Sequence, residues 1–357
     1  MKISNDIRLA IELCLRHGIA FVAYANPSER RLKFQSSLGE TDCDDCDYFF
    51  VNTFASPLES LVKIPFLADE QMTIAALDQR PTDICRTPSP SLPSPTCHRQ
   101  YIESVDNVIA HLKEKGGKTV ISRTICGSIP GIDWIEFARQ YFSELPLTYR
   151  FIYYTPATGA WIVATPELLF SHNRSSATSH TVALAGTRVC SADDKPWDDK
   201  NLKEQKIVSD YISECLESNG LNFSKTGPHS SKFGNIEHLC TSFDIFDTVL
   251  SAEKCFRITD SLSPTPAVSG YPVDVALKEI REAEKHHRGC YSGYLGFATS
   301  NNFMSVVNLR CLQFSGYDYC IYAGGGIMPD SDSSREWLET ESKTEKARLV
   351  LERFSNR

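Results

Sequence analysis

The chain has 357 residues, with 37 Lys and Arg against 45 Asp and Glu, a formal charge of −8 at pH 7. At 41% hydrophobic and 23% charged, its composition is that of a globular protein able to bury a sizeable core, which excludes disorder over most of its length. The acidic balance disfavours a nucleic-acid partner, and no apolar run approaches the roughly 20 residues that cross a bilayer, so a small-molecule partner is expected.

Residues 4–17 predict an amphipathic helix, with Ile7, Ala10, Ile11, Cys14 and Leu15 on one face and Ser4 placed to cap its start. Charges interrupt it and no small-residue cleavage site follows, so it reads as part of the fold rather than a targeting segment. Apolar runs at 19–25, 48–54 and 62–67 predict strands. Cys43 and Cys46 form a single CxxC with no second ligand pair, a weak signal for a zinc or redox site. Thirteen cysteines, an odd number without a spacing framework, suggest reduced thiols and a cytoplasmic setting. The four prolines in residues 86–97 (RTPSPSLPSPTC) predict an exposed connector. It divides an N-terminal lobe, residues 1–95, from a catalytic region, residues 96–357, within one fold.

Beyond the connector the pattern alternates. A helix at 98–115, a strand at 118–123, a helix at 133–142 and a hairpin of 150–155 with 160–165 come first. A strand at 180–185 and a helix at 200–218 follow, then a helix near 272–287. Three strands (291–298, 304–312 and 317–323) lead to a last helix at 333–354. Hairpins grouped between helices predict a mostly antiparallel α+β fold.

Several segments carry chemistry. In residues 322–343 a strand ends in three glycines, a turn follows and an acidic helix begins. Glu336, Glu339 and Lys343 fall at i, i+3 and i+7 on one face of that helix. Two carboxylates one turn apart offer hard oxygen ligands of the kind magnesium takes, and glycines 324–326 leave backbone N–H groups free to approach an anion. Taken alone, the same residues also fit a capping box of Ser333 with Glu336 and an ordinary Glu339–Lys343 surface pair. Glu204 lies one turn before Val208, towards the side that Ile207, Val208, Tyr211 and Ile212 bury. Glu167 follows Pro166 at a strand end among apolar neighbours, which raise a carboxyl pKa and suit it to general acid work. Lys118 opens a strand, where desolvation would suit an amine to base work. Arg310, placed in the middle of the strand at 304–312, is costly to bury without a carboxylate to bind. His286 and His287 lie near a helix end beside Arg288 and read as complements to the helix dipole. The chain has no GxxxxGK[ST] loop, HExxH helix or GxSxG elbow.

Ten segments in one order tie these features together: KTVISR (118–123), TPELLF (165–170), ALAGTR (183–188), KNLKEQKIV (200–208), HLCTSF (238–243), LSPTPAVSGYP (262–272), GCYSGYLGF (289–297), VNLRC (307–311), YAGGGI (322–327) and EWLETESK (336–343). From Lys118 to Lys343 the chain resembles the chorismate-utilising enzymes, which include isochorismate, salicylate, anthranilate and aminodeoxychorismate synthases. The first 95 residues carry little of that signature. The resemblance implies an α+β fold of two large antiparallel β-sheets packed face to face with flanking helices. It also implies a Mg2+ ion on Glu204, Glu339 and the nearby Glu336. Arg310 and Tyr291, with the backbone at Gly325 and Gly326, match residues that hold the enolpyruvyl carboxylate. Lys343 matches a lysine near the other substrate carboxylate, and Gly186, Thr187 and His238 match positions beside the ring.

Three positions narrow the resemblance. Lys118 matches the lysine with which water-using members deprotonate the attacking water, where ammonia-using members have glutamine. Ala185 stands where aminodeoxychorismate synthases carry a nucleophilic lysine. Ala267 matches isochorismate synthases, whereas salicylate synthases tend to have threonine. The implied reaction is the isomerisation of chorismate to isochorismate, with a resting-neutral Lys118 activating water for attack at C2 and a protonated Glu167 releasing the C4 hydroxyl. A role in menaquinone synthesis is expected, with salicylate formation, a siderophore pathway or a non-catalytic chorismate-binding paralogue as alternatives. The branch is often monomeric, with a weak dimer allowed. Gln205 and Ser263 replace histidines usual in the family, and GGG replaces GAG. All three departures are expected to retune binding rather than remove the chemistry.

Overall fold

In the computed structural model, described for residues 1–39, 46–80, 90–190, 196–233, 236–246 and 249–355, sixteen strands form two eight-stranded sheets with eight α-helices around them. Cys43 and residues 86–89 of the expected connector lie outside the described residues. The strands are β1 (Phe21–Ala25), β2 (Lys33–Ser36), β3 (Tyr48–Asn52), β4 (Val62–Pro65), β5 (Lys118–Ser128), β6 (Tyr149–Thr155), β7 (Gly159–Thr165), β8 (Leu168–Asn173), β9 (Thr178–Val189), β10 (Phe223–Phe233), β11 (Ile236–Ile245), β12 (Gly270–Tyr271), β13 (Tyr294–Ala298), β14 (Asn302–Val307), β15 (Cys311–Ser315) and β16 (Asp318–Ile327). The helices are α1 (Asn5–His17), α2 (Glu70–Leu77), α3 (His98–Lys115), α4 (Trp134–Glu144), α5 (Asp199–Ser218), α6 (Ala252–Leu262), α7 (Val273–Ala283) and α8 (Ser333–Ser355).

The first sheet runs β12-β5-β16-β15-β7-β6-β1-β2 and the second β10-β11-β9-β8-β14-β13-β3-β4, with every named pair antiparallel. Residues before the proline-rich stretch supply β1 and β2 to the first sheet and β3 and β4 to the second.

Central strands of both sheets are buried on two faces, so they read as continuous apolar runs rather than alternating ones. In β1, β6 and β7, residues Phe21, Ala23, Ile152, Tyr154 and Ile162 pack outwards against α1 and α4, while Val22, Phe151, Tyr153, Trp161 and Val163 point inwards. Phe49, Val51, Leu295, Phe297 and Val306 of the second sheet meet that inward set and form the layer between the sheets. Behind the second sheet, Val208 and Ile212 of α5 and Phe256 and Ile258 of α6 close the other outer core.

Several expectations need correction. The expected strand at 304–312 is two strands, β14 and β15, one in each sheet, because the chain crosses between layers at 308–310. The expected helix to residue 287 stops at Ala283, and the His286 ring is buried against Ser122 Oγ, 3.0 Å away, rather than capping a dipole. Ser333 does not cap the last helix. Asp332 does, accepting from Arg335 N at 2.9 Å, and the Glu336 carboxylate accepts from Ser331 Oγ at 2.7 Å instead. The sequence reading omitted β2, α2, β8, β10, β11, α6 and β12.

Candidate active site

A cleft opens where the chain twice crosses from one sheet to the other. At the first crossing, from β7 to β8, only Pro166 and Glu167 separate the strands. At the second, from β14 to β15, the link is 308–310. Each crossing delivers one ionisable side chain to the cleft wall.

Glu167 is 6% exposed, and its backbone is fixed by a 3.0 Å bond from Val307 N to its carbonyl. Burial pushes its carboxyl up to about 7, against the opposing pull of Lys118, Lys343 and Arg310. At neutral pH roughly half of such a group carries a proton, so it can donate one.

Arg310 adopts a left-handed backbone, φ 49°, rare for a side-chain-bearing residue. Tyr141 Oη and Ala164 N hold its carbonyl at 2.9 and 3.2 Å. The guanidinium Nη2 lies 3.1 Å from His238 Nε2, and among the described residues no carboxylate forms an ion pair with it. Burial, then the charges of Arg310 and Lys343, hold the His238 pKa well below its ordinary value. The ring is therefore neutral, with Nε2 accepting from Arg310 and Nδ1–H donating to Thr187 Oγ1 at 3.1 Å, a tautomer assigned from these partners. Thr187 N donates to Asn201 Oδ1, and at Gly186, φ 74°, a side chain would come within 3.0 Å of Asn201 O. The bulge in β9 thus seats the start of α5 against the cleft.

The three glycines lie near the C-terminal end of β16. They sit inside β16, paired with Ser122, Ile121 and Val120 of β5. Their use is clearance on alternating faces of the strand. A Cβ at Gly326 would lie 2.4 Å from Glu204 Oε1 and 2.8 Å from Lys118 Cε, and one at Gly324 would meet Tyr291 Oη at 3.0 Å. Gly325 faces the other way, its Cβ position 2.9 Å from Glu336 Oε2, so it is not among the cleft-lining residues.

The carboxylates expected to bind metal come from α5 and α8, and each has a lysine. Lys118, fully buried, has Nζ 2.9 Å from Glu204 Oε1. Lys200 Nζ is 2.6 Å from Glu336 Oε1, and Lys343 Nζ is 2.7 Å from Glu339 Oε1 and 2.8 Å from the Gly324 carbonyl. Burial works against ionisation of Glu204, but Lys118, Lys200 and Lys343 outweigh it and hold its pKa below the ordinary carboxylate value. Glu336 is pushed up to about 7, by burial first and then by the charge of Glu339. Its Oε2 and the neighbouring Tyr101 hydroxyl are buried without hydrogen-bond partners. An orphaned carboxylate oxygen beside a second, repelling carboxylate fits a hard dication. Yet among the described residues no three acidic, His or Cys side chains form a ready-made cage.

Of the sequence-derived site residues, Glu167, Gly186, Thr187, Glu204, His238, Ala267, Tyr291, Arg310, Gly326 and Lys343 line the cleft. Lys118 lies behind Glu204 and Gly326, and Gly325, Glu336 and Glu339 are outside the lining. Sequence reasoning missed Lys200 and Asn201. Both lie one turn or less from Glu204, and that spacing was the available signal. Gln205 is buried and ties α5 to the second sheet, its Nε2 donating to Ala183 O and Thr241 Oγ1 at 3.1 and 3.0 Å. Ser263 caps the end of α6.

Comparison with known proteins agrees with this geometry. The chain is 30% identical over 217 residues to isochorismate synthase MenF of Escherichia coli (57% of this chain, 48% of that protein). It is 30% identical over 279 residues to the chloroplastic isochorismate synthase 2 of Arabidopsis thaliana (71% and 47%). The alignments span about half the length of each relative. The solved structure of MenF, the menaquinone-specific isochorismate synthase from Escherichia coli, superposes with a TM-score of 0.74 at 20% identity, covering 96% of this chain and 91% of that one, and so shares the fold. No helix among the described residues is long and apolar enough to cross a membrane. With the profile of chorismate binding enzymes matching residues 41–352, the chain belongs to the chorismate-binding enzyme family.

Proposed function

We propose that this protein is a magnesium-dependent isochorismate synthase, acting in a cytoplasmic setting on free chorismate. The observation that carries the reading is the meeting, in one cleft, of a buried carboxyl poised near 7 (Glu167) with a partly buried arginine that forms no ion pair with a carboxylate among the described residues (Arg310). A partly desolvated guanidinium without a counter-charge is costly, and a dianionic substrate relieves that cost.

Arg310 and Tyr291 hold the enolpyruvyl carboxylate, while Lys343 faces the ring carboxylate. Lys118, once released from Glu204, takes a proton from the water that attacks C2. Glu167 gives its proton to the departing C4 hydroxyl. Donor and acceptor hold opposite protonation states at one pH because their surroundings differ: Glu167 lies at a crossing between the sheets, Lys118 at the β5–β16 edge against a carboxylate. Magnesium held by Glu204, Glu336 and Glu339 would bind the ring carboxylate, draw charge from the ring and offset the charge that Glu204 exerts on Lys118. The small side chains of Ala185 and Ala267 in the lining support water addition over a covalent or eliminating route. The reading extends to the menaquinone branch, the role named for the MenF relative.

Incubating the purified chain with chorismate and magnesium, then separating the products, tests this. The expected outcome is isochorismate without pyruvate. Equimolar pyruvate would mark a salicylate synthase, and unconsumed chorismate would mark a binding protein.

A further inference from the structure

The eleven described cysteines are free thiols, and two of them face each other away from the cleft. Cys126 of β5 and Cys320 of β16 are directly opposed in the antiparallel ladder, with Sγ atoms 3.0 Å apart. Opposed residues of such a ladder have Cα atoms about 4.5–5.5 Å apart, inside the range of about 4.4–6.8 Å that a disulfide bridges. Their surroundings are unequal. Cys320 is fully buried, whereas Cys126 is half-buried and lines a surface groove with Pro90, Leu92, Pro95 and Tyr319. A small reagent can therefore reach one sulfur while the second waits behind it. The contact with Cys320 draws the Cys126 thiol below its usual pKa, although burial opposes it, and the same contact pushes Cys320 up. A thiol of that kind is the attacking member of a pair.

We propose that Cys126 and Cys320 are an oxidisable pair that forms a reversible intramolecular disulfide with a low-molecular-weight disulfide as the oxidant. The Cys126 thiolate attacks one sulfur of the oxidant, whose S–S bond breaks and releases one small thiol. Cys320 gives up its proton and attacks Cys126 Sγ, expelling the second small thiol. Two protein thiols thus lose two electrons and two protons, all of which end on two molecules of the small thiol. The bond closes a loop between positions 194 residues apart, which favours stabilisation through the unfolded chain. Along β5 it lies eight residues from Lys118, about 26 Å of extended strand.

The full chain, exposed to glutathione disulfide, alkylated and digested without reductant, gives the test by mass spectrometry. A linked Cys126–Cys320 peptide that vanishes with reductant, with a melting temperature several degrees higher in the oxidised protein, is expected. Cys126→Ser should yield neither, and Cys320→Ser should keep glutathione on Cys126. Glutathione on Cys126 without a link in the native sequence, no linked peptide at all, or the same melting shift in Cys126→Ser would overturn the proposal.

Discussion

The two walls of the cleft treat charge in opposite ways. On the helical wall Glu204, and behind it Glu336 and Glu339, are each matched by a lysine at 2.9 Å or less. On the wall built by the crossings between sheets, Glu167 and Arg310 form no ion pair among the described residues, and His238 is held neutral. Matched charges keep the helical wall assembled in the absence of ligand. Unmatched groups leave the other wall dependent on what binds, and that asymmetry is what a site for a dianion and a cation requires.

Several perturbations would break or sharpen this contrast. The largest effect is expected for Lys118→Gln, which removes the proton acceptor but keeps a polar side chain. Turnover should fall by about 10³–10⁴, with chorismate affinity by calorimetry within a few-fold of the original. Equal losses in both would make Lys118 a binding residue. Glu167→Gln should lower turnover by about 10²–10³ and remove the alkaline limb of the pH–rate profile, which in the unaltered protein should fall near pH 7 as Glu167 ionises. Arg310→Ala should weaken chorismate binding by about 10², close to 3 kcal/mol, with a smaller change in maximal rate.

Lys200→Met acts on the matched wall. It strands the Glu336 carboxylate and should lower stability by about 1–3 kcal/mol in chemical denaturation of the metal-free protein, less than a fully buried pair would lose because Lys200 is a quarter exposed. The pH dependence of stability has a definite sign. Glu167 and Glu336 both bind their proton more tightly when folded, at about 7 against an ordinary value of 4.5. Their contribution is complete below about pH 4.5 and is lost as pH rises through 7, by up to about 3 kcal/mol each. Glu167→Gln should flatten that loss in denaturation curves taken across the window.

Much of this was legible in the sequence, for reasons particular residues make plain. Helices α1, α3, α5 and α8 carry strong 3.6-residue periodicity or cap signals, and Ser4 does cap α1. Doubly buried strands such as β6 and β7 announce themselves as unbroken apolar runs. By contrast, β10 is polar and exposed along most of its length, so no apolar pattern marks it. Arg310 was expected within a strand because Val306, Val307, Leu309 and Cys311 around it are apolar, but Val306 and Val307 serve one sheet, Cys311 the other, and Leu309 the link between them. Nothing local in a sequence says where a chain changes layers. The clearance that the glycines give depends on Glu204, Tyr291 and Glu336, and the local sequence does not show which of these each glycine faces. Glu167 and Glu204 gained meaning from their order among the other motifs, and their distinct ionisation states came only with the surrounding charges.

The central claim is that the unmatched wall positions chorismate for water to enter at C2 while the C4 hydroxyl departs. Running the reaction in water enriched in oxygen-18, with magnesium present, and analysing the product by mass spectrometry tests it most directly. Isochorismate carrying one heavy oxygen at C2 is the expected result. Unlabelled isochorismate, or no conversion in the presence of magnesium, would contradict the account.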